Sequence, residues 1–252
     1  VVVDAGNFLF RGTRLSSISE EADKVAAGYV ARAMAMIKYD VVNVGPNDLA
    51  AGLDYLRAIK EQSGLRLISS NIYSVKTMSP AFETSFIKTI GGVRVGFFGI
   101  AGWDDSGSHD KDTVILADAE ETGKKMVSEL SGKADLIVAL AAMGRKEAYD
   151  FAKAVGGIDL VITTSRPQPI PVPTPYGKTY LVSADEKGKR VGRVTVTVGA
   201  ARPYRITGAI VPVGSLIFRD RALDALENEY YEWLLKNSPE SAGEPPDAVD
   251  EE

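Results

Sequence analysis

The sequence predicts a layered α/β domain, on two observations. Strand and helix signals alternate over the first two thirds of the chain, and a run of strands follows. The most apolar strands, around residues 41–44, 93–100 and 136–140, do not alternate with polar residues, which fits sheets covered on both faces.

Taken in order, residues 1–4 form a short apolar strand ending at Ala5-Gly6-Asn7. Ser17 and Glu20 have capping-box spacing. Behind them Ala22, Val25, Ala26, Tyr29, Val30, Ala33 and Ile37 recur at helical intervals. A buried strand over 40–44 stops at Gly45-Pro46. The next helix, over 49–62, puts Leu53, Leu56 and Ile59 on one face and stops at Gly64, with Asp48 expected to cap its start. Residues 65–69, 82–90 and 93–100 are strand-like, and Gly91-Gly92 predicts a hairpin turn between the last two.

A helix over 118–130 leads into the apolar strand 136–140. Another helix, over 146–155, ends at Gly156-Gly157 and precedes a strand over 158–163. Residues 164–175 carry five prolines and read as a loop, because strands resume at Lys178. Residues 180–184, 191–198 and 205–213 read as antiparallel strands, with alternation clearest at Val194, Val196 and Val198. The last helix, over 219–236, carries Leu223, Leu226, Tyr230, Trp233 and Leu234. Residues 237–252 are acidic and proline-bearing, which predicts a flexible tail or linker. The expected organisation is one domain over 1–217, a linker helix over 218–236 and an acidic tail over 237–252.

Composition removes whole classes of function. A chain of 252 residues can bury a core without staples. Its net charge of −5 leaves no electrostatic footprint for nucleic acid, and no apolar run approaches the ~20 residues of a membrane span. The absence of cysteine excludes disulfides, thiolate metal sites, covalent haem attachment and cysteine nucleophiles. A single histidine, His109, cannot build a multi-histidine metal centre. No signal peptide is visible. The opening Val1-Val2-Val3-Asp4 reads as the inside of a strand, so the domain is expected to start upstream.

Seven stretches, in order, carry a family resemblance. Val1-Val2-Val3-Asp4-Ala5-Gly6-Asn7 is similar to an apolar strand ending in Gly-Asp. Residues 39–48, with Gly45-Pro46-Asn47-Asp48, are similar to a strand leading into Gly-Asn-His-Glu. Ser70-Asn71-Ile72-Tyr73 matches a Ser-Ala-Asn-Ile segment, and residues 93–100 a Lys-Val-Gly-Ile-Ile-Gly strand. Residues 134–140 followed by Met143-Gly144 are similar to an Asp-Leu-Ile-Ile strand with a His-x-Gly loop. Residues 157–162 stand before the place of a Gly-His-x-His motif, and 188–193 resemble a Gly-Lys-x-x-Gly turn. Together these resemble the catalytic domain of the 5′-nucleotidase branch of the calcineurin-like metallophosphoesterases, over residues 1–213.

The resemblance implies a two-sheet αββα sandwich. It also implies two divalent metals at the carboxyl ends of the strands, bridged by an Asp and completed by an Asn and several His. Carried over position by position, the bridging Asp becomes Asn7, the Asn ligand Pro46 and the catalytic His Asn47. The His before Met-Gly becomes Ala142, and the Gly-His-x-His histidines become Ser165 and Pro167. An Asp-x-His motif is expected upstream of Val1. Two dications about 3.5–4 Å apart need anionic bridging and several strong donors. A carboxamide supplies one weak oxygen, and proline and alanine side chains supply none. The sequence therefore predicts a pocket with no metal or other cofactor and no catalytic residue.

Other residues near this chemistry have simpler readings. The oxygen-rich stretch 104–112 around His109 lacks the spacing of a calcium loop and reads as a solvated surface loop. Asp4 and Asp40 end strands, and structural roles are expected. Arg11, Arg145 and Arg166 fall in loops that would rim the former metal site, where guanidinium charge can hold phosphate or a carboxylate.

The function these readings favour is a catalytically degenerate module of a larger extracytoplasmic protein, kept for its surface and joined to another domain or protein partner. Related bacterial proteins join such domains to other modules, multihaem ones included. Periplasmic or extracellular placement follows from the resemblance alone. The alternatives are an anion- or nucleotide-binding protein that uses the vacated cleft, and a surviving metal-dependent phosphoesterase with ligands supplied from upstream.

Overall fold

The computed structural model describes residues 1–102, 112–164, 169–184, 188–214 and 219–237. In chain order the elements begin β1 (Val3–Asp4), α1 (Glu20–Ile37), β2 (Val41–Asn43), a 3-10 turn (Pro46–Leu49), α2 (Leu53–Ser63) and β3 (Leu67–Ile68). They continue β4 (Ile72–Ser74), β5 (Ser79–Pro80), β6 (Ser85–Ile90), β7 (Val93–Ala101), β8 (Val114–Leu116), α3 (Ala119–Leu130) and β9 (Leu136–Ala142). Then come α4 (Arg145–Val155), β10 (Leu160–Thr163), β11 (Thr174–Tyr176), β12 (Thr179–Val182), β13 (Arg190–Thr197), β14 (Arg205–Pro212) and α5 (Arg221–Asn237).

Two sheets carry the domain. A parallel sheet has the order β1-β2-β3, and a six-stranded mixed sheet has the order β11-β12-β10-β9-β7-β6. Their apolar residues sort by parity, as successive side chains on a strand point to opposite faces. Val41 and Ile68 of the first sheet meet Phe97, Leu136, Val138 and Leu140 of the second in a shared inner layer. The opposite parity on the first sheet, Val42 and Leu67, packs on Leu53, Leu56 and Ile59 of α2 and Ala31 and Met34 of α1. On the second sheet Ile137, Ala139 and Ala141 pack on Met126 and Leu130 of α3 and Ala148 and Phe151 of α4. The result is the expected αββα sandwich, in which each fully buried Leu, Ile or Phe contributes about 1.5–3 kcal/mol of transfer free energy.

Several boundary expectations hold for the reasons given. Gly64 takes the left-handed conformation that closes α2 (φ 71), and Asp118 caps α3 by accepting the Glu121 N–H at 2.8 Å. Gly91 and Gly92, both at positive φ, turn β6 into β7, which pair antiparallel.

Three expectations are corrected. The Ser17–Glu20 capping box does not form, because the chain first turns over Ser16–Ser19 and α1 starts only at Glu20. Ser19 precedes the helix without a side-chain cap and donates its hydroxyl to Asp23 at 2.8 Å. The strand predicted over 180–184 is β12; it pairs antiparallel with β11 on one side but does not join β13 and β14 in one antiparallel run. It lies parallel to β10, because the chain first reaches the sheet edge as β11 and turns back through Gly177. The proline-rich stretch is therefore not loop throughout, since β11 forms within it. The small sheet β5-β4-β8 was missed, its strands being two or three residues long.

Helix α5 lies on α1. Glu229 accepts from both guanidinium nitrogens of Arg32 at 2.8 and 2.9 Å, and the Tyr29 and Tyr230 rings meet at 5.1 Å. Only Leu226 of α5 is buried. Among the described residues no helix is long and apolar enough to cross a membrane.

Candidate functional site

The loops that leave the carboxyl ends of β1, β2 and β9 meet at two glycines. A Cβ built on Gly6 (φ +105) would lie 2.9 Å from the Gly45 nitrogen and 3.1 Å from Ala142 Cβ. One built on Gly45 would lie 2.3 Å from Asn7 Oδ1 and 2.8 Å from Ala142 Cβ. The site therefore closes around Asn7, Gly45 and Ala142 with no room for one added methyl group.

Asn7 itself sits at φ 61, a left-handed conformation that Asn tolerates better than most residues. Its side-chain oxygen accepts the backbone N–H of Asn47 at 2.9 Å. Asn47 in turn donates its side-chain amide to the Phe10 carbonyl at 3.3 Å. Pro46, between Gly45 and Asn47, is buried.

Beneath this contact Asp48 is fully buried and accepts three backbone N–H groups, from Asn7 and Gly45 at 2.8 Å and from Leu9 at 2.9 Å. It does not cap α2, which starts only at Leu53; it sits inside the 3-10 turn and ties the β1 loop to the β2 loop. Burial pushes its carboxyl up to about 7, against the pull of its three donors. Asp4 accepts the Gly6 N–H at 2.8 Å, and burial raises its carboxyl to about 6. Asp40 accepts the Val2 N–H and pairs with Lys88, away from these loops.

Two asparagines join the sheets under the site. Asn43 donates to the Ala5 and Ile100 carbonyls at 2.9 and 3.0 Å, which fastens β1 to β7. Its Oδ1 is buried with no hydrogen-bond partner and faces Gly99, where a built Cβ would come within 2.2 Å. Asn71 satisfies both ends of its amide: it donates to the Ala101 and Ala117 carbonyls and accepts the Ala101 N–H. Sequence reasoning assigned neither a role, although Asn43 stands out as a polar residue inside the apolar run Val41-Val42-Asn43-Val44. After β10, the Thr163 and Thr164 hydroxyls both donate to the Met143 carbonyl and fix the loop next to Ala142.

No family profile matches the chain. A 2′,3′-cyclic-nucleotide 2′-phosphodiesterase/3′-nucleotidase of Salmonella typhimurium is 33% identical over 130 residues, 46% of this chain and 20% of that protein. The corresponding protein of Yersinia enterocolitica is 32% identical over 162 residues, 57% of this chain and 24% of that one. The chain thus spans about a quarter or less of the length of these relatives. Among solved structures, a sulfate thiohydrolase SoxB of Thermus thermophilus superposes with a TM-score of 0.80 at 18% identity, over 94% of this chain and 43% of that one. A 5′-nucleotidase precursor of Thermus thermophilus gives 0.75 at 22% identity, over 93% and 49%. The calcineurin-like phosphoesterase YfkN of Bacillus subtilis gives 0.74 at 18%, over 94% and 84%. The fold is that of the metallophosphoesterases. Homologues and structural neighbours alike are 5′-nucleotidase-like and cyclic-phosphodiesterase-like proteins of the calcineurin-like metallophosphoesterase group.

Within this metallophosphoesterase fold, Asn7, Asn47 and Ala142 come together around Gly45, with Pro46 adjoining. Ser165, Arg166 and Pro167 lie outside the described residues, as does His109. Among the described residues no three His, Cys, Asp or Glu side chains converge so as to hold a metal ion. Arg11 is exposed on the β1 loop. Arg145 is the exposed first residue of α4, its guanidinium 5.9 Å from the centre of the Tyr149 ring. A cleft opens beside it, but the carboxylates of Asp118, Glu120, Glu147 and Asp150 share its walls and outnumber Arg145 and Lys146.

Proposed function

We propose that this chain is a catalytically degenerate metallophosphoesterase-type domain that serves as a non-catalytic structural or interaction module of a larger extracytoplasmic protein. The observation that carries this reading is the Asn7–Asn47 hydrogen bond. At the position where the family resemblance puts a bridging carboxylate stands a neutral amide, and its oxygen is engaged in holding two loops together. Pro46 and Ala142, at two further ligand positions, offer no donor atom. The residues present therefore do not fit a pair of dications, whose mutual repulsion needs anionic bridging. The glycine contacts add a steric argument, since Asn7 and Ala142 fill the space around Gly45.

The assay is hydrolysis of p-nitrophenyl phosphate and bis-p-nitrophenyl phosphate by the full-length protein, with manganese or zinc and with a chelator. The expected outcome is a rate no higher than the buffer blank under every condition. Turnover that disappears with chelator and returns with added metal would establish the surviving-phosphoesterase alternative, with ligands from outside residues 1–252.

A second reading, anion or nucleotide binding, draws on one observation. Helix α4 begins at Gly144-Arg145-Lys146 with no side-chain cap on its N-terminal N–H groups. The four carboxylates of the adjoining cleft weigh against it. Isothermal titration with phosphate and with nucleotides decides: heat that weakens on Arg145→Ala supports this reading, and no heat at millimolar ligand removes it.

A further inference from the structure

The hairpin β13–β14 has a charge pattern unlike the rest of the chain. Residues 188–214 contain Lys189, Arg190, Arg193, Arg202 and Arg205 and not one Asp or Glu, in a protein whose net charge is −5. Its inner face is accounted for: Val194, Val196 and Ile206 pack into the layer between the sheets. Arg202 is also accounted for, reaching the buried carboxylate of Asp159 at 3.1 Å and the Asp135 carbonyl at 2.9 Å.

The outer face is different. By the strand register Val191 pairs with Val211, Arg193 with Ala209, Thr195 with Thr207 and Thr197 with Arg205. All eight are exposed, Val191 at 55% and Val211 at 41%. Among the described residues Arg193 and Arg205 form no ion pair, and neither strand pairs with a third. The face thus combines fixed positive charge, about 13 Å apart along the strands, with exposed β-branched side chains and two open edges.

We propose that this face docks an extended, acidic segment of a partner polypeptide. Carboxylates match Arg193 and Arg205, apolar side chains match the Val191–Val211 pair, and an extended backbone matches an open edge. A second copy of the same face would set arginine against arginine. Nucleic acid would find no aromatic side chain on the outer positions for base stacking. The proposal gives the interaction-module reading a surface and a partner chemistry, and rests on that reading for its biological sense. It lies apart from the pocket, so its failure and the failure of that reading are separable: metal-dependent turnover bears on the pocket alone.

The test is fluorescence polarisation of a labelled peptide of alternating Glu and Val titrated with the full chain at low salt. We expect saturable binding that weakens about tenfold in R193E/R205E and about threefold in V191T/V211T. The peptide should also slow amide hydrogen exchange along one strand of the hairpin. If charge reversal prevents folding, R193Q/R205Q reads the same loss. Three results would overturn the proposal. The first is no saturation by about 1 mM. The second is binding of heparin or poly(dT) as tight as the peptide, with no effect of the valine changes, which would indicate a polyanion surface only. The third is a tenfold gain in peptide affinity on removing residues 238–252, which carry six carboxylates and no basic residue; the chain's own segment would then be the occupant.

Discussion

The side-chain oxygen of Asn7 accepts the backbone N–H of Asn47 at 2.9 Å, so that a loop after one strand is held by the side chain of another loop. This bond uses the position where the resemblance puts a shared metal ligand. On the proposed reading a loop–loop contact stands where the family coordinates metal, and its consequences are structural and measurable.

Gly45→Ala tests the packing around that contact. Its methyl would meet Asn7 Oδ1 at 2.3 Å and Ala142 Cβ at 2.8 Å. Overpacking of this kind costs about 1–3 kcal/mol. Urea denaturation should show that loss, and Gly45→Ala combined with Asn7→Gly should recover part of it, since glycine accepts the φ of 61 at position 7.

Asp48 makes stability depend on pH. Its carboxyl is raised from 3.8 to about 7 in the folded protein, chiefly by burial. Between those values the native state holds a proton that the unfolded chain has released. Stability from this group is thus complete below about pH 4 and is lost as pH rises through about 7. Each unit is worth about 1.4 kcal/mol, so the urea midpoint should fall from pH 5 to pH 8, and Asp48→Asn should flatten that slope. An unchanged slope in the variant would assign the effect to Asp4 or another group.

The two inter-sheet asparagines should differ. Asn71→Leu removes three hydrogen bonds and strands buried backbone groups, a loss of about 3 kcal/mol. Asn43→Leu removes two and also removes an oxygen that already lacks a partner, so its loss should be smaller. Paired denaturation curves compare them directly.

Leu226→Ala tests how α5 is attached. Leu226 is the one buried residue of that helix, and its truncation leaves the Arg32–Glu229 pair and the Tyr29–Tyr230 ring contact to hold α5 on α1. Exposed ion pairs contribute little. Amides of α5 should exchange faster while those of β7 and β9 are unchanged.

The sandwich was legible because covered sheets write themselves as unbroken apolar runs such as Leu136–Ala142, and helices as spaced ones such as Leu53, Leu56 and Ile59. Glycines at forced turns, Gly64 and Gly91-Gly92, marked boundaries for a definite steric reason. The parallel pairing of β12 with β10 was not legible, because which strand becomes a neighbour depends on where the preceding loop crosses the sheet. The Ser17–Glu20 box failed since a turn upstream moved the helix start, which spacing alone does not reveal. At the site, the sequence located Asn7, Asn47 and Ala142 by position. It could not show that Gly45 brings them into contact, nor that Asp48 gathers three N–H groups from two loops, because those are tertiary relationships.

The most direct test of the degenerate-pocket account is the metal content of the full-length protein. It should be purified without chelator from cells supplied with manganese and zinc, and measured by mass spectrometry against protein concentration. The account predicts far less than one metal ion per chain, unchanged in Asn7→Ala. About two ions per chain, lost on Asn7→Ala, would contradict it.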